Sequence, residues 1–284
     1  MVGERPDTYV PHPGGAVANV AMIAARLGAG VELAGGTGSD RWGAWLRERL
    51  EAAGVGLTWF TGDGTARTPV AFVDVGAEGE PAFAIYGEDI AATILAVAPR
   101  LDEAVDACDA LFVSSNTLVS EDERAVTMAA RERALGAGKP LVFDPNLRLH
   151  RWPTATRAAT AARDVVPGAL LVRCNRAEGE VLTGEPDPAA AAEALVAGGA
   201  QHAIVTSGPH GAVLRGGGLR VDVPGVAANV VDTTGAGDTL MGTLLARLAA
   251  AGYYPPALAA ALPEAVERSA RATEHFGAHP PNVC

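Results

Sequence analysis

The chain has 284 residues, 49% of them hydrophobic and 19% charged, enough for one large core or two small ones. It carries 22 basic against 33 acidic side chains, a formal charge of −11. That balance excludes a general polyanion binder, because phosphate backbones need a basic footprint, so no nucleic-acid partner is expected. Lys139 is the only lysine, in Gly136-Ala-Gly-Lys-Pro140, which lacks the early glycine and the Ser/Thr of a Walker loop. A P-loop nucleotidase is thereby excluded. Cys108, Cys174 and Cys284 show no metal-ligand spacing and read as reduced thiols of a cytoplasmic protein. No apolar run reaches the ~18 residues of a membrane span, and the first residues carry no signal-peptide pattern.

In chain order, Ala16–Leu27 places Val20, Ile23, Ala24 and Leu27 on one helical stripe. Val31–Ala34 predicts a short strand, followed by a loop over Gly35–Asp40. Trp42–Ala53 predicts an amphipathic helix with Trp45, Leu46 and Leu50 inward. Thr68–Val75 and Pro81–Tyr86 alternate around Gly76–Gly79, a hairpin of the kind that forms a lid or flap. A βα rhythm follows: strands at Ala110–Ser114, Pro140–Asp144, Leu170–Arg173 and Ala203–Thr206; helices at Glu121–Leu135, Pro188–Ala197 and Thr239–Ala251. That alternation predicts a mostly parallel sheet with helices on both faces and chemistry at the carboxyl ends of its strands.

The sharpest motif is Asp232-Thr-Thr-Gly-Ala-Gly-Asp238, directly before an apolar helix. Its glycines let successive N–H groups point at one spot, and the helix adds the positive end of its dipole. Backbone alone then makes an anion hole suited to a phosphoryl group, with Asp238 at its mouth to accept a hydroxyl proton. The plain alternative is a glycine-rich turn with Asp238 as a first-turn acid.

Pro13-Gly-Gly-Ala-Val-Ala-Asn19 opens a helix with Gly14 and Gly15, and the Asn19 amide suits sugar hydroxyls. Asp144-Pro-Asn146-Leu-Arg148 groups an acid, an amide and a guanidinium after a strand; an Asx-stabilised turn is the alternative. Asn175-Arg-Ala-Glu178 could hold water on Mg²⁺, or be a plain capping box. Thr206-Ser-Gly208 can reach a nucleotide through hydroxyl and backbone. The six histidines show no zinc spacing, and Gly36-Thr-Gly38 does not continue into a dinucleotide fingerprint.

Together and in this order, these segments resemble the ribokinase-like, phosphofructokinase-B type carbohydrate kinases, over about Pro11 to about Pro281. The look is closest to fructokinase and 2-keto-3-deoxygluconate kinase members. The resemblance implies an α/β fold: a single domain over 1–284, a three-layer α/β/α sandwich with a mostly parallel central sheet and the hairpin at about 68–86 as a small β lid. It implies transfer of the γ-phosphoryl of ATP to a hydroxyl of a small sugar, a fructose-like ketose first and 2-keto-3-deoxygluconate next. By analogy Asp238 is the base and Gly235, Ala236 and Gly237 form the anion hole. Gly14, Gly15, Asn19 and Arg148 would face the sugar, and Thr206 and Gly208 the nucleotide. Asn175 and Glu178 would tend Mg²⁺, Glu178 through water, and Asp232 and Thr234 a monovalent cation such as K⁺. His275-Phe-Gly-Ala278 lies where family members border the adenine. A homodimer through the lid is the expected assembly.

One departure stands out. By the resemblance, the usual first strand, whose end carries a sugar-gripping acid, is expected to be missing here, either because the true start lies upstream or because the strand is lost. Val2-Gly-Glu4 would be its remnant and Asp7 its acid, although Pro6 disfavours a strand. That departure raises a rival reading, a weak or inert member kept for ligand binding; a nucleoside kinase is a further alternative as to the acceptor.

Overall fold

The computed structural model describes residues 9–76, 79, 81–87 and 94–278. Val2-Gly-Glu4, Asp7 and Cys284 lie outside them, as do three residues of the hairpin turn. The backbone groups into two compact units: Met1–Val97, Val226–Ala250 and Glu264–Cys284 in the first, Ala98–Gly225 and Ala251–Pro263 in the second.

The first unit opens with α1 (Ala16–Arg26), β1 (Gly35–Gly38), α2 (Arg41–Ala52), β2 (Phe60–Asp63), β3 (Val70–Val75) and β4 (Pro81–Tyr86). Here the structure corrects the expected strand at Val31–Ala34. That apolar run forms only a bridge, Glu32 to Gly56, and the glycine-rich Gly35–Gly38 is the strand, parallel to β2. The reason is steric: a Cβ on Gly36 would stand 2.5 Å from the Thr61 carbonyl oxygen, so only glycine lets the two backbones close up.

Asp40 then starts α2, accepting from the Trp42 and Gly43 N–H groups at 2.9 Å each. Its other oxygen accepts from Thr68 N–H at 2.8 Å, which ties the root of the hairpin to the helix start. Hydrogen bonds from the Thr68 and Gly43 amides hold this carboxyl below the usual range. The hairpin itself is as expected: β3 and β4 pair antiparallel as a separate two-stranded sheet.

The second unit holds α3 (Leu101–Ala107), β5 (Leu111–Ser114), α4 (Glu121–Gly136), β6 (Leu141–Asp144), α5 (Ala155–Arg163), β7 (Leu171–Asn175), α6 (Arg176–Thr183), α7 (Pro188–Ala197), β8 (Ala203–Thr206), β9 (Ala212–Gly216) and β10 (Leu219–Val223). One sheet runs in the order β10-β9-β8-β7-β6-β5. β5 to β8 are parallel, as the βα rhythm predicts, while β9 and β10 add an antiparallel hairpin turned by glycines with positive φ. Short alanines such as Ala158, Ala161 and Ala191 bring the helices close to Val172, Cys174 and Val205, and this apolar layer is the core. The lone lysine is structural: Lys139 Nζ donates to the carbonyls of Val105, Asp106 and Cys108, closing the carboxyl end of α3.

Back in the first unit lies α8 (Ala236–Ala250); α9 (Ala257–Ala272) ends there too, after its Pro263. The helix expected from Thr239 starts three residues earlier, so Ala236, Gly237 and Asp238 form its first turn rather than the loop before it. Gly235, at φ +78°, makes the turn, and its carbonyl accepts the first helical bond from Thr239 N–H at 2.8 Å.

Arg247 binds Glu264 with two hydrogen bonds of 2.8 and 2.7 Å, and Arg268 adds a third at 2.8 Å. Chiefly through Arg247, the Glu264 carboxyl is pushed down to about 2. A carboxyl with a lowered folded pKa stabilises above its ordinary value and loses that contribution as pH falls towards the folded one. Glu264→Gln is therefore expected to lower Tm by roughly 2 °C at pH 7, as suits a partly exposed cluster. The gap to the parent should narrow below pH 4.5 and close near pH 2; calorimetric scans across that range check it.

Candidate active site

In the first unit, Gly15 precedes α1 with φ +101°, and Gly14 and Gly15 are both exposed. A Cβ on Gly14 would meet nothing within 4 Å, so the backbone here is open to a ligand. One turn on, Asn19 is 5% exposed, and its Nδ2 donates to Asp238 Oδ2 at 2.7 Å. The amide expected to face the sugar and the expected base are thus in direct contact, across 219 residues of chain.

That contact depends on a close crossing of α1 and α8. A Cβ on Gly242 would sit 2.7 Å from Ile23 Cβ and 2.9 Å from the Val20 carbonyl oxygen. Glycine is there for approach, not for flexibility.

The loop before α8 is held from behind. The Thr273 carbonyl accepts from Val231 N–H at 2.8 Å and Asp232 N–H at 3.1 Å, and Gly277 N–H donates to Asp232 Oδ2 at 2.8 Å. A Cβ on Gly235 would fall 2.5 Å from Ala278 Cα, so Ala278 and the loop before α8 are closely packed. Asp232 is fully buried; its Oδ1 accepts from Thr234 N–H at 2.8 Å. The Thr234 hydroxyl is buried without a hydrogen-bond partner. An orphaned hydroxyl oxygen beside a buried carboxylate is a donor set that fits a monovalent cation. The hairpin reaches this loop as well: the Gly79 carbonyl accepts from Thr233 N–H at 3.0 Å and from its hydroxyl at 3.1 Å.

In the second unit the expected residues stand at the carboxyl ends of β6, β7 and β8. Asn175 and Glu178 do form a capping box, each side chain accepting the other's backbone N–H at 2.9 Å. Glu178 also accepts from Leu147 N–H at 2.7 Å and is 8% exposed, whereas Asn175 is exposed. Each Glu178 oxygen thus receives one amide and keeps a second lone pair, hard-oxygen donor chemistry that fits water on Mg²⁺. The capping role and the metal role are compatible.

Asp144 Oδ1 accepts from Asn146 N–H at 3.1 Å, and Asn146 adopts φ +40° in the resulting Asx-type turn. Arg148 follows it, half-buried, and Gly208 is exposed at the turn after β8.

Arg173 is the residue that motif reading passes over. It pairs with Asp144 Oδ2 at 3.0 Å and donates to the Thr206 hydroxyl at 2.9 Å. The signal for it was present: a lone cation inside Leu171–Asn175 needs a buried partner. Burial pushes the Asp144 and Glu178 carboxyls up, and Arg173 opposes that shift in both. Among the described residues no group of three or more His, Cys, Asp and Glu could hold a metal by protein ligands alone.

The pfkB family carbohydrate kinase model matches residues 2–278. The chain belongs to that family. It is 35% identical over 244 residues to fructokinase-1 of Oryza sativa subsp. japonica, covering 84% of this chain and 75% of that one. Among solved structures, the fructokinase of Vibrio cholerae O395, bound to fructose, ADP and calcium ion, superposes with a TM-score of 0.85 at 28% identity. That match covers 97% of this chain and 90% of the other. The aminoimidazole riboside kinase of Salmonella enterica, complexed with aminoimidazole riboside and an ATP analog, gives 0.81 at 27%, over 97% and 90%. The fold class is thus the three-layer α/β/α ribokinase-like one, and the chain is an ATP-dependent carbohydrate kinase. No helix among the described residues is long and apolar enough to cross a membrane.

Gly242→Ala tests the packing beneath the site. Helix propensity alone favours alanine by about 1 kcal/mol, whereas overpacking against Ile23 costs about 1–3 kcal/mol. A net loss of stability is expected in urea unfolding; a more stable variant would refute the close-crossing argument.

Proposed function

We propose that this kinase transfers the γ-phosphoryl of ATP to a hydroxyl of a fructose-like ketose. The observation that carries the reading is the Asn19–Asp238 hydrogen bond at the start of α8. Asn19 holds the carboxylate, and Asp238 takes the proton as the sugar oxygen attacks phosphorus. A new C–O–P linkage forms, the bond to the ADP oxygen breaks, and charge grows on the transferring group. Backbone N–H groups of Gly235, Ala236 and Gly237, with the helix dipole behind them, stabilise that charge without any lysine. Gly14, Gly15 and Arg148 complete the assignment on the sugar side. The kinship with fructokinases favours fructose; a carboxylate partner for Arg148 would favour 2-keto-3-deoxygluconate.

On the nucleotide side we assign Thr206 and Gly208 to ATP, and Asn175 and Glu178 to Mg²⁺, Glu178 through water. Bound Mg²⁺ would neutralise charge between the nucleotide phosphates. Asp232 and the Thr234 hydroxyl are assigned to a monovalent cation such as K⁺, next to the anion hole. The segment 275–278 is assigned to the adenine border. The unpaired thiols Cys108 and Cys174 suit a cytoplasmic setting. The chemistry is tested by measuring ATP consumption with hexoses, keto-acids and nucleosides, beside Asp238→Asn. Fructose should give the highest kcat/KM, and the variant should lose about 100- to 10,000-fold in kcat. If no acceptor raises turnover above the variant, the reading is wrong.

The assembly proposed is a homodimer through the hairpin. Phe72, Phe83, Ile85 and Tyr86 are exposed on the two strands, and Tyr9 stacks edge-on against Phe72. Aromatic area of this kind on an isolated two-stranded sheet suits burial by a second copy. Light scattering should give a dimer mass for the parent and a monomer mass for Phe72→Asp; an unchanged mass in the variant would reject the lid as the interface.

A further inference from the structure

Arg173 is a cation in the middle of a buried strand. Leu171, Val172 and Cys174 beside it are fully buried, and Val172 and Cys174 belong to the apolar core. Strand alternation puts Arg173 on the opposite face. There one guanidinium joins two neighbouring strand ends. Nη1 donates to Asp144 Oδ2 at the end of β6, at 3.0 Å, and Nη2 to Thr206 Oγ1 at the end of β8, at 2.9 Å. The other Asp144 oxygen accepts from Asn146 N–H at 3.1 Å, and the next amide, Leu147 N–H, donates to Glu178 at 2.7 Å. A continuous path of side-chain and turn contacts thus runs from the Thr206 hydroxyl to the Glu178 carboxylate, with Arg173 at its centre.

We propose that Arg173 is the positioning residue of the nucleotide side: it aims the Thr206 hydroxyl and, through the Asp144 turn, the Glu178 carboxylate, without touching the nucleotide itself. The inference rests on the assignment of Thr206, Asn175 and Glu178 to nucleotide and metal. Several observations support it. Both Nη atoms are engaged by protein partners, and the side chain is 9% exposed. Its two donors diverge to different strands, which a planar fork does and a single ammonium does not. The Thr206 hydroxyl, accepting a hydrogen bond from Arg173, directs its own O–H away from the guanidinium, towards the Cys174 carbonyl at 3.4 Å. Its rotamer is therefore set by Arg173.

The test is direct binding of Mg·AMP-PNP by calorimetry, in the full chain, alongside steady-state kinetics. Arg173→Lys is expected to weaken nucleotide binding at least about tenfold, because one fork arm is lost, and to leave the KM for fructose within about twofold. Thr206→Val should weaken binding by itself yet add less than about twofold on top of Arg173→Lys, because both remove the same link. Should Arg173→Lys not fold, the charge-matched pair Arg173→Met with Asp144→Asn takes its place, with the same expected loss. Nucleotide binding within about twofold of the parent, equal shifts in both KM values, or fully multiplicative effects of the two variants would overturn the proposal. A parent that binds the analogue but phosphorylates no sugar refutes the functional reading and leaves this one standing. A parent that binds no nucleotide refutes both.

Discussion

The crossing of α1 over α8 is the constraint from which the acceptor side of the chemistry follows. Two helices from opposite ends of the chain approach until the α-carbon of Gly242 lies under Ile23, and only at that separation does the Asn19 amide reach the Asp238 carboxylate. A short buried hydrogen bond from a neutral amide fixes the carboxylate's direction. On the function proposed above, the base and the anion-hole donors share one rigid helix start.

The second unit solves an electrostatic problem by opposite means. Near α8 the positive potential comes from uncharged backbone, arranged by a left-handed glycine and braced by the 273–278 segment. At the ends of β6, β7 and β8 a full guanidinium is instead placed against two buried carboxylates. Backbone dipoles at a helix start carry no full charge that must be desolvated. A buried ion cluster is expensive unless nearly every donor and acceptor is used. Here the Arg173 Nε remains without a hydrogen bond, which leaves that side more sensitive to substitution.

Much of the site was legible because its motifs are local. Asp232–Asp238, Asn175–Glu178 and the paired glycines carry their geometry within a few residues, and the βα rhythm places Asn175–Glu178 at a strand end. What escaped is what local pattern cannot encode. β1 is made of glycine and threonine, so it has no hydrophobic alternation to read. The start of α8 is decided by the φ of Gly235, not by the apolar stripe that begins at Leu240. Arg173 finds its partners 29 and 33 residues away, through sheet order that no spacing rule reveals. The β9–β10 hairpin was marked by Gly216-Gly-Gly218 and was readable in principle.

Lys139 has a consequence of a different kind. With 21 arginines and a single lysine, the chain offers acylating reagents one side-chain amine, and that amine is already bonded to three carbonyls at the end of α3. Acylating it would remove the donor those carbonyls share and loosen the helix. The reactivity of one amine is thus a gauge of how firmly α3 is docked, readable at a position remote from every residue assigned to chemistry.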